Sequence, residues 1–244
     1  MRSVELVIET PKSIHEVLMF DYDGTLTLAE AQIPEPAKRV LLELKDRRVA
    51  IMGIVSGRHL DYLKSVNEDL GMPFSFLVAE NGAVSHFCDT QETHIIGKEW
   101  AANAKQVFAH SDFPIRFFDV MGTARREYAD QVEDVLRRSG LDAKITPNKD
   151  SVMVLPPSVD KGTGVATAVA HYGTTSSIYL TCFGDGENDL ALFAPADFRV
   201  AVANSVPALK EVADVVTDNP GGLGVEEYLR KRYFESEPVD LRKR

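Results

Sequence analysis

Apolar runs alternate with helical patterns in the first third of the chain. The runs at 17–20, 49–55 and 74–79 have the continuous apolar character of strands that are buried on both faces of a parallel sheet. Between them, apolar residues repeat at helical spacing over 34–48 and 59–70. This strand–helix–strand order predicts a doubly wound parallel sheet, the Rossmann-like form of the α/β class.

The alternation of strands and helices stops over residues 83–157, where short strand-like pieces and two helical patterns are typical of the α+β class. These pieces are strands at 84–87, 115–120 and 151–155 and helices at 98–110 and 125–139. The doubly wound pattern then resumes with helices at 161–172, 188–193, 207–213 and 223–233 and strands at 178–183, 198–202 and 215–217. The sequence therefore predicts an α+β cap domain, 83–157, inserted into a core made of 1–82 and 158–244. An edge strand is also predicted at 4–9.

Composition and charge narrow the class of protein. The chain has 244 residues, of which 44% are hydrophobic and 26% charged, as expected of a globular protein with a substantial core. No apolar run approaches the ~18 residues of a membrane helix, and the first residues lack a signal-peptide pattern. A net charge of −10 argues against binding to nucleic-acid phosphates. We expect no membrane or nucleic-acid partner, and the sequence indicates no particular oligomeric state.

The two cysteines, Cys88 and Cys182, lie far apart in unlike surroundings. Proteins stapled by disulfides carry more cysteines at closer spacing, and they occur in oxidising compartments. We therefore expect both residues to be free core thiols, and the protein to be cytoplasmic.

Two acids end the first apolar run. Asp21 and Asp23 follow Phe20, and Gly24 comes directly after them. Open α/β sheets place their chemistry at the C-terminal ends of parallel strands. Paired carboxylates at such an end can bind Mg²⁺, which takes one or two carboxylates together with phosphate oxygens and water. The alternative, an acidic turn that closes a hairpin, is disfavoured because no matching strand follows before Pro34.

Three more segments place polar groups at comparable positions. Asp185 and Asp189 lie in a glycine-containing turn after a later apolar run, and they suit the same cation. Ser56 and Gly57 follow the second run, where a hydroxyl and backbone amides can bind phosphate. A plain helix N-cap is the alternative for Ser56, and the two roles are compatible. Lys161 begins a helix, where a cation opposes the dipole, and this favours a lysine that faces phosphate.

Taken in order, these segments resemble the four motifs of the haloacid dehalogenase superfamily. The matching residues are Asp21-Tyr22-Asp23-Gly24-Thr25, Ser56, Lys161 and Gly184-Asp185-Gly186-Glu187-Asn188-Asp189. Each short motif is weak alone, but four in the right order on the right elements are specific. Residues 80–82 and 156–162 further resemble subclass IIB, in which the cap follows the third core strand. That subclass includes Cof-type sugar phosphatases, sucrose-phosphate and trehalose-phosphate phosphatases, mannosyl-phosphoglycerate phosphatase and archaeal phosphoglycolate phosphatases.

The resemblance implies a Mg²⁺-dependent phosphatase and gives the motif residues their roles. Asp185 and Asp21 would ligate the metal, joined by the main-chain carbonyl of Asp23. Asn188 and Asp189 would hold the waters of the metal or the phosphate. For Asp189 three roles stay open: a direct ligand, a ligand through water, and a first-turn acid that the helix dipole favours.

The side chains of the matched motifs also provide the groups that hydrolysis of a phosphate monoester requires. Hydrolysis of a phosphate monoester needs an in-line nucleophile, a proton donor for the leaving oxygen and positive charge around the phosphoryl group. Asp21 can be the nucleophile and form an aspartyl-phosphate, which water then hydrolyses. Asp23 can protonate the leaving oxygen and later activate that water. The phosphate would be bound by Ser56, Gly57, Lys161 and Asn188.

Basic residues of the predicted cap are candidates for the other end of the substrate. They are Arg116, Arg125, Arg126 and Lys149. We expect Lys149, in a loop before a cap strand, and Arg125 to contact the substrate, although a solvent-facing role is usual for such charges. Arg58 fits a substrate contact and a surface role equally. The six histidines show no metal-ligand spacing.

The sequence thus predicts a Mg²⁺-dependent phosphomonoesterase that hydrolyses a small phosphorylated metabolite, either a sugar phosphate or a phosphoglycolate-like ester. The cap, hinged at its two linkers, should decide which ester is accepted. Two other functions are a sugar-phosphate phosphomutase, which shares the aspartyl-phosphate, and a non-catalytic sensor of a phosphorylated metabolite. The acids at 21, 23 and 185 argue against the sensor. A dehalogenase is disfavoured because Asp23 serves no step in dehalogenation.

Overall fold

The computed structural model describes residues 15–28, 32–148, 150–173 and 177–235. These residues form one eight-stranded sheet and one four-stranded sheet, with helices packed on both. The predicted edge strand at 4–9 and the predicted substrate contact Lys149 lie outside the described residues.

Six parallel strands make up the body of the large sheet, and β1 (His15–Asp21) lies near its centre. The order across the sheet is β12 (Val215–Val216), β11 (Phe198–Ala201), β10 (Ile178–Gly184), β1, β2 (Ile51–Val55), β3 (Phe76–Ala79), β4 (Val84–Phe87) and β5 (Thr93–Ile95). The chain runs from β1 toward β3 on one side and continues from β10 on the other. The point where the order reverses therefore lies between β1 and β10, where such folds bind ligands.

Helices cover both faces of this sheet. The first face carries α1 (Glu35–Arg47), α2 (Leu60–Asp69) and α8 (Gly221–Arg230), and the second carries α5 (Lys161–Val169), α6 (Asp189–Phe193) and α7 (Pro207–Val212). Leu18 and Phe20 of β1 pack with the helices of the first face, whereas Val17 and Met19 pack with those of the second. Because neighbouring side chains of a strand point to opposite faces, one buried strand supplies both cores. The predicted doubly wound α/β fold is confirmed.

β4 and β5 form one edge of the large sheet, although both lie within the predicted insert, 83–157. β4 pairs with β3 and β5 pairs with β4, both in antiparallel fashion. The sequence pattern predicts a strand at 84–87 within the inserted α+β unit and no strand at 93–95. The hairpin belongs to the large sheet because Phe87 of β4 packs against Phe76 of β3 in the core. The four-stranded sheet and its helices follow Gly97.

The four-stranded sheet is antiparallel throughout, in the order β6 (Ile115–Phe117), β7 (Gly122–Arg125), β9 (Ser151–Leu155) and β8 (Lys144–Asn148). Two helices, α3 (Lys98–Phe108) and α4 (Ala129–Ser139), cover one of its faces. Val152 and Val154 of β9 pack toward these helices, while Met153 and Leu155 join the core cluster of the large sheet. The second face of the small sheet is therefore turned toward the large one.

Two strands of the small sheet were missed by the sequence pattern. Residue 125 was predicted to begin a helix, but it ends β7, and α4 starts only at Ala129. β8 contains Pro147, which argues against a strand except at an edge, and β8 is an edge strand. The other predicted elements that lie in the described residues are confirmed, with ends that differ by a few residues.

Two expectations about the class of protein can be compared with the structure. Cys88 and Cys182 are both free, as predicted; Cys182 is buried in the core, whereas Cys88 is only partly buried against it. Among the helices that the structure describes, none has the length and apolar character needed to cross a lipid bilayer.

Candidate active site

The C-terminal ends of β1, β2 and β10 bring together the four segments that were identified from sequence. A cavity of about 500 Å³ lies at these ends, between the two sheets. From the side of the large sheet it is lined by Asp21, Asp23, Ser56, Gly57, Lys161, Asp185 and Asn188. From the side of the small sheet it is lined by Arg116, Phe118, Met121, Thr123, Ser151 and Met153. The acids, Lys161 and Ser56, which suit phosphate chemistry, therefore face a wall of side chains that belong to the small sheet.

Lys161 lies among the acids of the cavity. Its Nζ donates to Oδ1 of Asp21 at 2.6 Å and to Oδ1 of Asp189 at 2.7 Å. All three side chains are buried. A capping box formed by Asp160 and Thr163 fixes the start of α5, so that Lys161 is the first residue of the helix. The ion pairs with two carboxylates account for a cation at a helix N-terminus, where the dipole alone would disfavour it.

The electrostatics of this cluster follow from burial. Burial raises the pKa of Asp21 well above its usual range, the negative charge of Asp189 adds to the shift, and Lys161 opposes it. The pKa of Asp185 is raised to about 6, first by burial and then by Asp189. Burial alone would lower the pKa of Lys161, but the carboxylates of Asp189 and Asp21 together raise it. One ammonium thus faces three acids, and full ionisation of the acids is unfavourable without further positive charge.

The acids of this cluster can hold a divalent cation. Asp21, Asp185 and Asp189 each offer a carboxylate oxygen within 4.8 Å of the others. Carboxylate oxygens are the ligands that hard cations such as Mg²⁺ prefer, so this donor set fits the predicted metal. Asp23 contributes no carboxylate to the cluster.

Asp189 has structural partners on both of its oxygens. Oδ1 accepts from Lys161, and Oδ2 accepts from the backbone amides of Asp185 and Gly186, each at 2.9 Å. The side chain is fully buried. These contacts favour a residue that positions Lys161 and the turn after β10, rather than one held in place by the helix dipole.

Arg58 lies in the site and holds Asp23. Its Nε donates to Oδ2 of Asp23 at 3.0 Å and its Nη2 donates to Oδ1 at 2.7 Å. This hydrogen bonding raises the pKa of Arg58. The guanidinium also lies 5.0 Å from the ring centroid of Tyr62. Both partners stay partly exposed, at 45% for the Arg58 side chain and 34% for that of Asp23, so the pair forms the rim of the cavity.

Ser56 offers its hydroxyl to the cavity but not its amide. Its N–H donates to the carbonyl of Val78 at 2.9 Å, and its Oγ accepts from the N–H of Arg58 at 3.1 Å. The N-cap of α2 is His59, whose Nδ1 accepts from the N–H of Tyr62. The alternative of Ser56 as a plain N-cap is therefore wrong, because α2 begins three residues later than that role requires.

Two residues orient Asp185 in a role that the sequence did not predict: Thr25, which belongs to the first matched motif, and Asn204. Thr25 donates its hydroxyl to Oδ1 of Asp185 at 3.1 Å. Asn204 donates to Oδ2 of Asp185 at 3.3 Å and to the carbonyl of Gly24 at 2.9 Å. Gly24 has a φ of +101°, and a Cβ there would lie 2.2 Å from Asp185 Oδ2. The sequence feature that could have identified Asn204 is its position shortly after β11, at the same edge of the sheet as the predicted acids.

Glu80 was also missed, although residues 80–82 were matched to a family motif. Its buried carboxylate accepts from the backbone amides of Asp119, Val120 and Met121 at 2.8–3.1 Å. Those amides belong to the loop between β6 and β7. The N–H of Glu80 in turn donates to the carbonyl of Arg58 at 2.9 Å. Glu80 therefore ties the small sheet to the segment that carries Ser56 and Arg58.

The structure does not bring Arg125 into the cavity. Its side chain is 71% exposed and pairs with Glu127 at 3.2 Å. Arg116 lines the cavity instead, with its guanidinium 4.8 Å from the ring centroid of Phe118. Both arginines lie on strands of the small sheet, and the sequence pattern did not distinguish the inner position from the outer one.

A family model and a curated relative each match most of the chain. A family model described as haloacid dehalogenase-like hydrolase matches residues 18–118 and 116–229. Phosphoglycolate phosphatase of Methanothermobacter thermautotrophicus is 30% identical over 220 residues, which cover 86% of this chain and 96% of the relative. Phosphoglycolate phosphatase 2 of Saccharolobus solfataricus is 47% identical over 98 residues, which cover 40% of this chain and 41% of the relative.

Solved structures share the fold. A haloacid dehalogenase-like hydrolase from Bacteroides thetaiotaomicron superposes with a TM-score of 0.74 at 17% identity, covering 89% of this chain and 99% of the other. A sugar phosphatase of subclass IIB superposes with a TM-score of 0.67 at 20% identity, covering 88% and 98%. Together with the family match, these comparisons confirm the resemblance seen in the motifs. The chain belongs to the haloacid dehalogenase-like hydrolases and is a phosphatase of that family.

Proposed function

We propose that the protein is a Mg²⁺-dependent phosphomonoesterase that acts on a small phosphorylated carboxylic acid of the phosphoglycolate type. The observation that carries the reaction is the placement of Lys161 between Asp21 and Asp189, with Ser56 in the same cavity. A carboxylate held by a buried ammonium, beside the hydroxyl of Ser56, which donates to Asp23 Oδ2 at 3.4 Å, provides a nucleophile and donors for phosphoryl oxygens.

Asp21 begins the reaction by attacking phosphorus through the carboxylate oxygen that does not accept from Lys161. A bond forms between this oxygen and phosphorus, and the bond from phosphorus to the ester oxygen breaks. Asp23 donates a proton to the leaving oxygen. Water then attacks phosphorus, Asp23 takes the proton of that water, and Asp21 is released as a carboxylate. Lys161 and Ser56 bind the phosphoryl oxygens as charge redistributes during both steps.

Asp21 and Asp185 would hold Mg²⁺, with Asn188 in reach of its waters or of the phosphate. When bound, the cation supplies positive charge that stabilises the phosphoryl oxygens during transfer. The same charge lowers the cost of ionising the buried acids, which is high for Asp21 and Asp185 in the free protein.

The pairing of Arg58 with Asp23 is compatible with the role of Asp23 as a proton donor. Both side chains are partly exposed, so the pair can open at small cost. A phosphate dianion that enters the cavity offers the guanidinium a bidentate partner. When Arg58 turns to the phosphate, Asp23 is free to carry a proton.

The small sheet supplies the contacts to the leaving group. Arg116, Thr123 and Ser151 line the wall that faces the phosphate site. A cation with two hydroxyls complements a carboxylate rather than an apolar or cationic group. The relatives named phosphoglycolate phosphatase agree with this choice of substrate class.

A panel of phosphate esters, assayed with and without divalent cation, tests this function. We expect release of inorganic phosphate from 2-phosphoglycolate in Mg²⁺, loss of that release on chelation, and recovery when Mg²⁺ is added back. Turnover that is indifferent to chelator would contradict the metal site. Isomerisation of a hexose phosphate without release of phosphate would instead indicate a phosphomutase, and no turnover of any ester would indicate a sensor.

Arg116→Ala is expected to reduce kcat/KM for 2-phosphoglycolate by about 10- to 100-fold, since a hydrogen bond to a charged group contributes roughly 1.5–3 kcal/mol. The loss on p-nitrophenyl phosphate, which has no carboxylate, should stay below about threefold. Arg125→Ala is the matched control, because Arg125 lies on the same sheet but points into solvent. Equal losses of kcat/KM on the two esters would show that Arg116 does not recognise the carboxylate of the substrate.

A further inference from the structure

The carboxamide of Asn81 is buried and poorly paired. The residue is 4% exposed, and its Oδ1 has no hydrogen-bond partner among the residues that the structure describes. Its Nδ2 donates to the sulfur atoms of Met153 at 3.2 Å and Met121 at 3.7 Å. Thioether sulfur is a weak acceptor, and a buried amide without a good partner is destabilising. The fold therefore tolerates a polar group that it does not satisfy.

Asn81 lies at the phosphate end of the active-site cavity. It lines the cavity together with Ser56, Gly57 and Lys161. A Cβ built on Gly57 would lie 3.4 Å from both polar atoms of the carboxamide. The amide group of Asn81 thus packs against the glycine that follows the phosphate-binding serine.

The turn that carries Asn81 is held on two sides. The N–H of Asn81 donates to the carbonyl of Ser56 at 2.9 Å. On the other side, a Cβ on Gly82 would lie 2.1 Å from the carbonyl oxygen of Asp160, directly before Lys161. Asn81 itself has a φ of +52°, a left-handed conformation that asparagine tolerates better than most residues. The side chain is therefore presented from a backbone that both phosphate-binding segments fix in place.

We propose that Asn81 is a phosphoryl-binding residue, a role that rests on the proposed function of the same cavity. Its Nδ2 leaves the thioether sulfurs and donates to a non-bridging phosphoryl oxygen, beside the hydroxyl of Ser56 and the ammonium of Lys161. The exchange is favourable because an anionic oxygen is a much stronger acceptor than a thioether. Asn81 adds a donor without adding charge, and its fixed backbone lowers the entropy lost on binding.

A second buried asparagine provides the matched control. Asn67 of α2 is 2% exposed, and both ends of its amide are paired with Phe74. Its Nδ2 donates to the carbonyl of Phe74 at 3.1 Å, and its Oδ1 accepts from the N–H of the same residue at 3.0 Å. Asn67 therefore has a structural role, and the two asparagines should respond to substitution in opposite ways.

The test compares Asn81→Gly with Asn67→Ala in the full chain with Mg²⁺. Glycine keeps access to the left-handed conformation, so the substitution removes the side chain without straining the backbone. We expect Asn81→Gly to lower kcat/KM by about 10- to 100-fold for 2-phosphoglycolate and p-nitrophenyl phosphate alike, with Tm nearly unchanged. Inhibition by inorganic phosphate should weaken by a similar factor. Asn67→Ala should lower Tm and leave kcat/KM within about threefold of the wild type.

Asn81→Asp adds a test of the donor itself. Aspartate keeps the size and the backbone preference but replaces the N–H group with a charged acceptor, so phosphate should bind more weakly than to Asn81→Gly. A loss confined to 2-phosphoglycolate would overturn the proposal by assigning Asn81 to the leaving group. Unchanged phosphate inhibition in Asn81→Gly would overturn it as well, and a fall in Tm like that of Asn67→Ala would then make Asn81 structural. Binding of inorganic phosphate, measured by calorimetry, tests the role of Asn81 even if the wild type hydrolyses no ester. The absence of hydrolysis would contradict only the proposed function.

Discussion

Asp21→Asn is expected to lower kcat by more than about a thousandfold, because a carboxamide is a very poor nucleophile. The variant should keep its fold, since asparagine has the shape of aspartate and can still accept from Lys161 Nζ. In the metal-free protein Tm should not fall, because burial and Asp189 raise the pKa of Asp21 and so make its ionised form costly. The measurement is phosphate release from 2-phosphoglycolate, combined with a thermal melt.

Asp46→Asn is the control for this experiment, since Asp46 is exposed on α1 and is not among the residues that line the cavity. That variant should retain wild-type turnover. If Asp21→Asn keeps activity within tenfold of the wild type, Asp21 is not the nucleophile.

Lys161→Ala is expected to lower both activity and stability. Loss of the contact to the phosphoryl oxygens should cost about 2.7–4 kcal/mol of transition-state stabilisation, as removal of an oxyanion-hole donor does in other enzymes. The substitution also leaves Asp21 and Asp189 buried side by side with no cation, and breaking a buried ion pair in this way costs about 3–5 kcal/mol. Both effects are measurable, by kcat/KM and by denaturant unfolding in the absence of metal.

Lys144→Ala provides the comparison. Lys144 pairs with Asp160, next to Lys161, at 2.8 Å, but its side chain is 37% exposed. A partly exposed pair of this kind contributes at most about 1 kcal/mol, so Lys144→Ala should unfold at nearly the wild-type denaturant concentration. A loss of kcat/KM below tenfold in Lys161→Ala, or unfolding free energies that match between the two variants, would contradict the role given to Lys161.

The part of the fold that the sequence predicted is the part that local patterns encode. β1 is a continuous apolar run because the sheet is covered on both faces, and the same physical cause makes β2, β3 and β10 visible. The acids of the site were predictable because polar residues that end a buried strand have few structural uses. This reasoning selected Asp21 and Asp185, and both line the same cavity in the structure.

The rest depends on contacts between residues that lie far apart along the chain. The apolar run at 84–87 reads as a strand, but only its pairing with β3 decides which sheet it joins. The partners of Glu80 are backbone amides some 40 residues away. Every residue other than proline has a backbone amide, so the sequence does not indicate which amides will bind Glu80. Arg116 and Arg125 have the same chemistry, and only the packing of the small sheet on the large one places Arg116 in the cavity.

Trapping the covalent intermediate tests the role of Asp21 most directly. Enzyme quenched in acid during turnover of 2-phosphoglycolate is treated with borohydride, which reduces an acyl phosphate to the alcohol, and the peptide that spans residue 21 is then weighed by mass spectrometry. We predict homoserine at position 21 in the wild type, in proportion to the phosphorylated fraction, and none in Asp21→Asn. Reduction at another acid of enzyme that is turning over substrate, with residue 21 unmodified, would contradict an aspartyl-phosphate at Asp21.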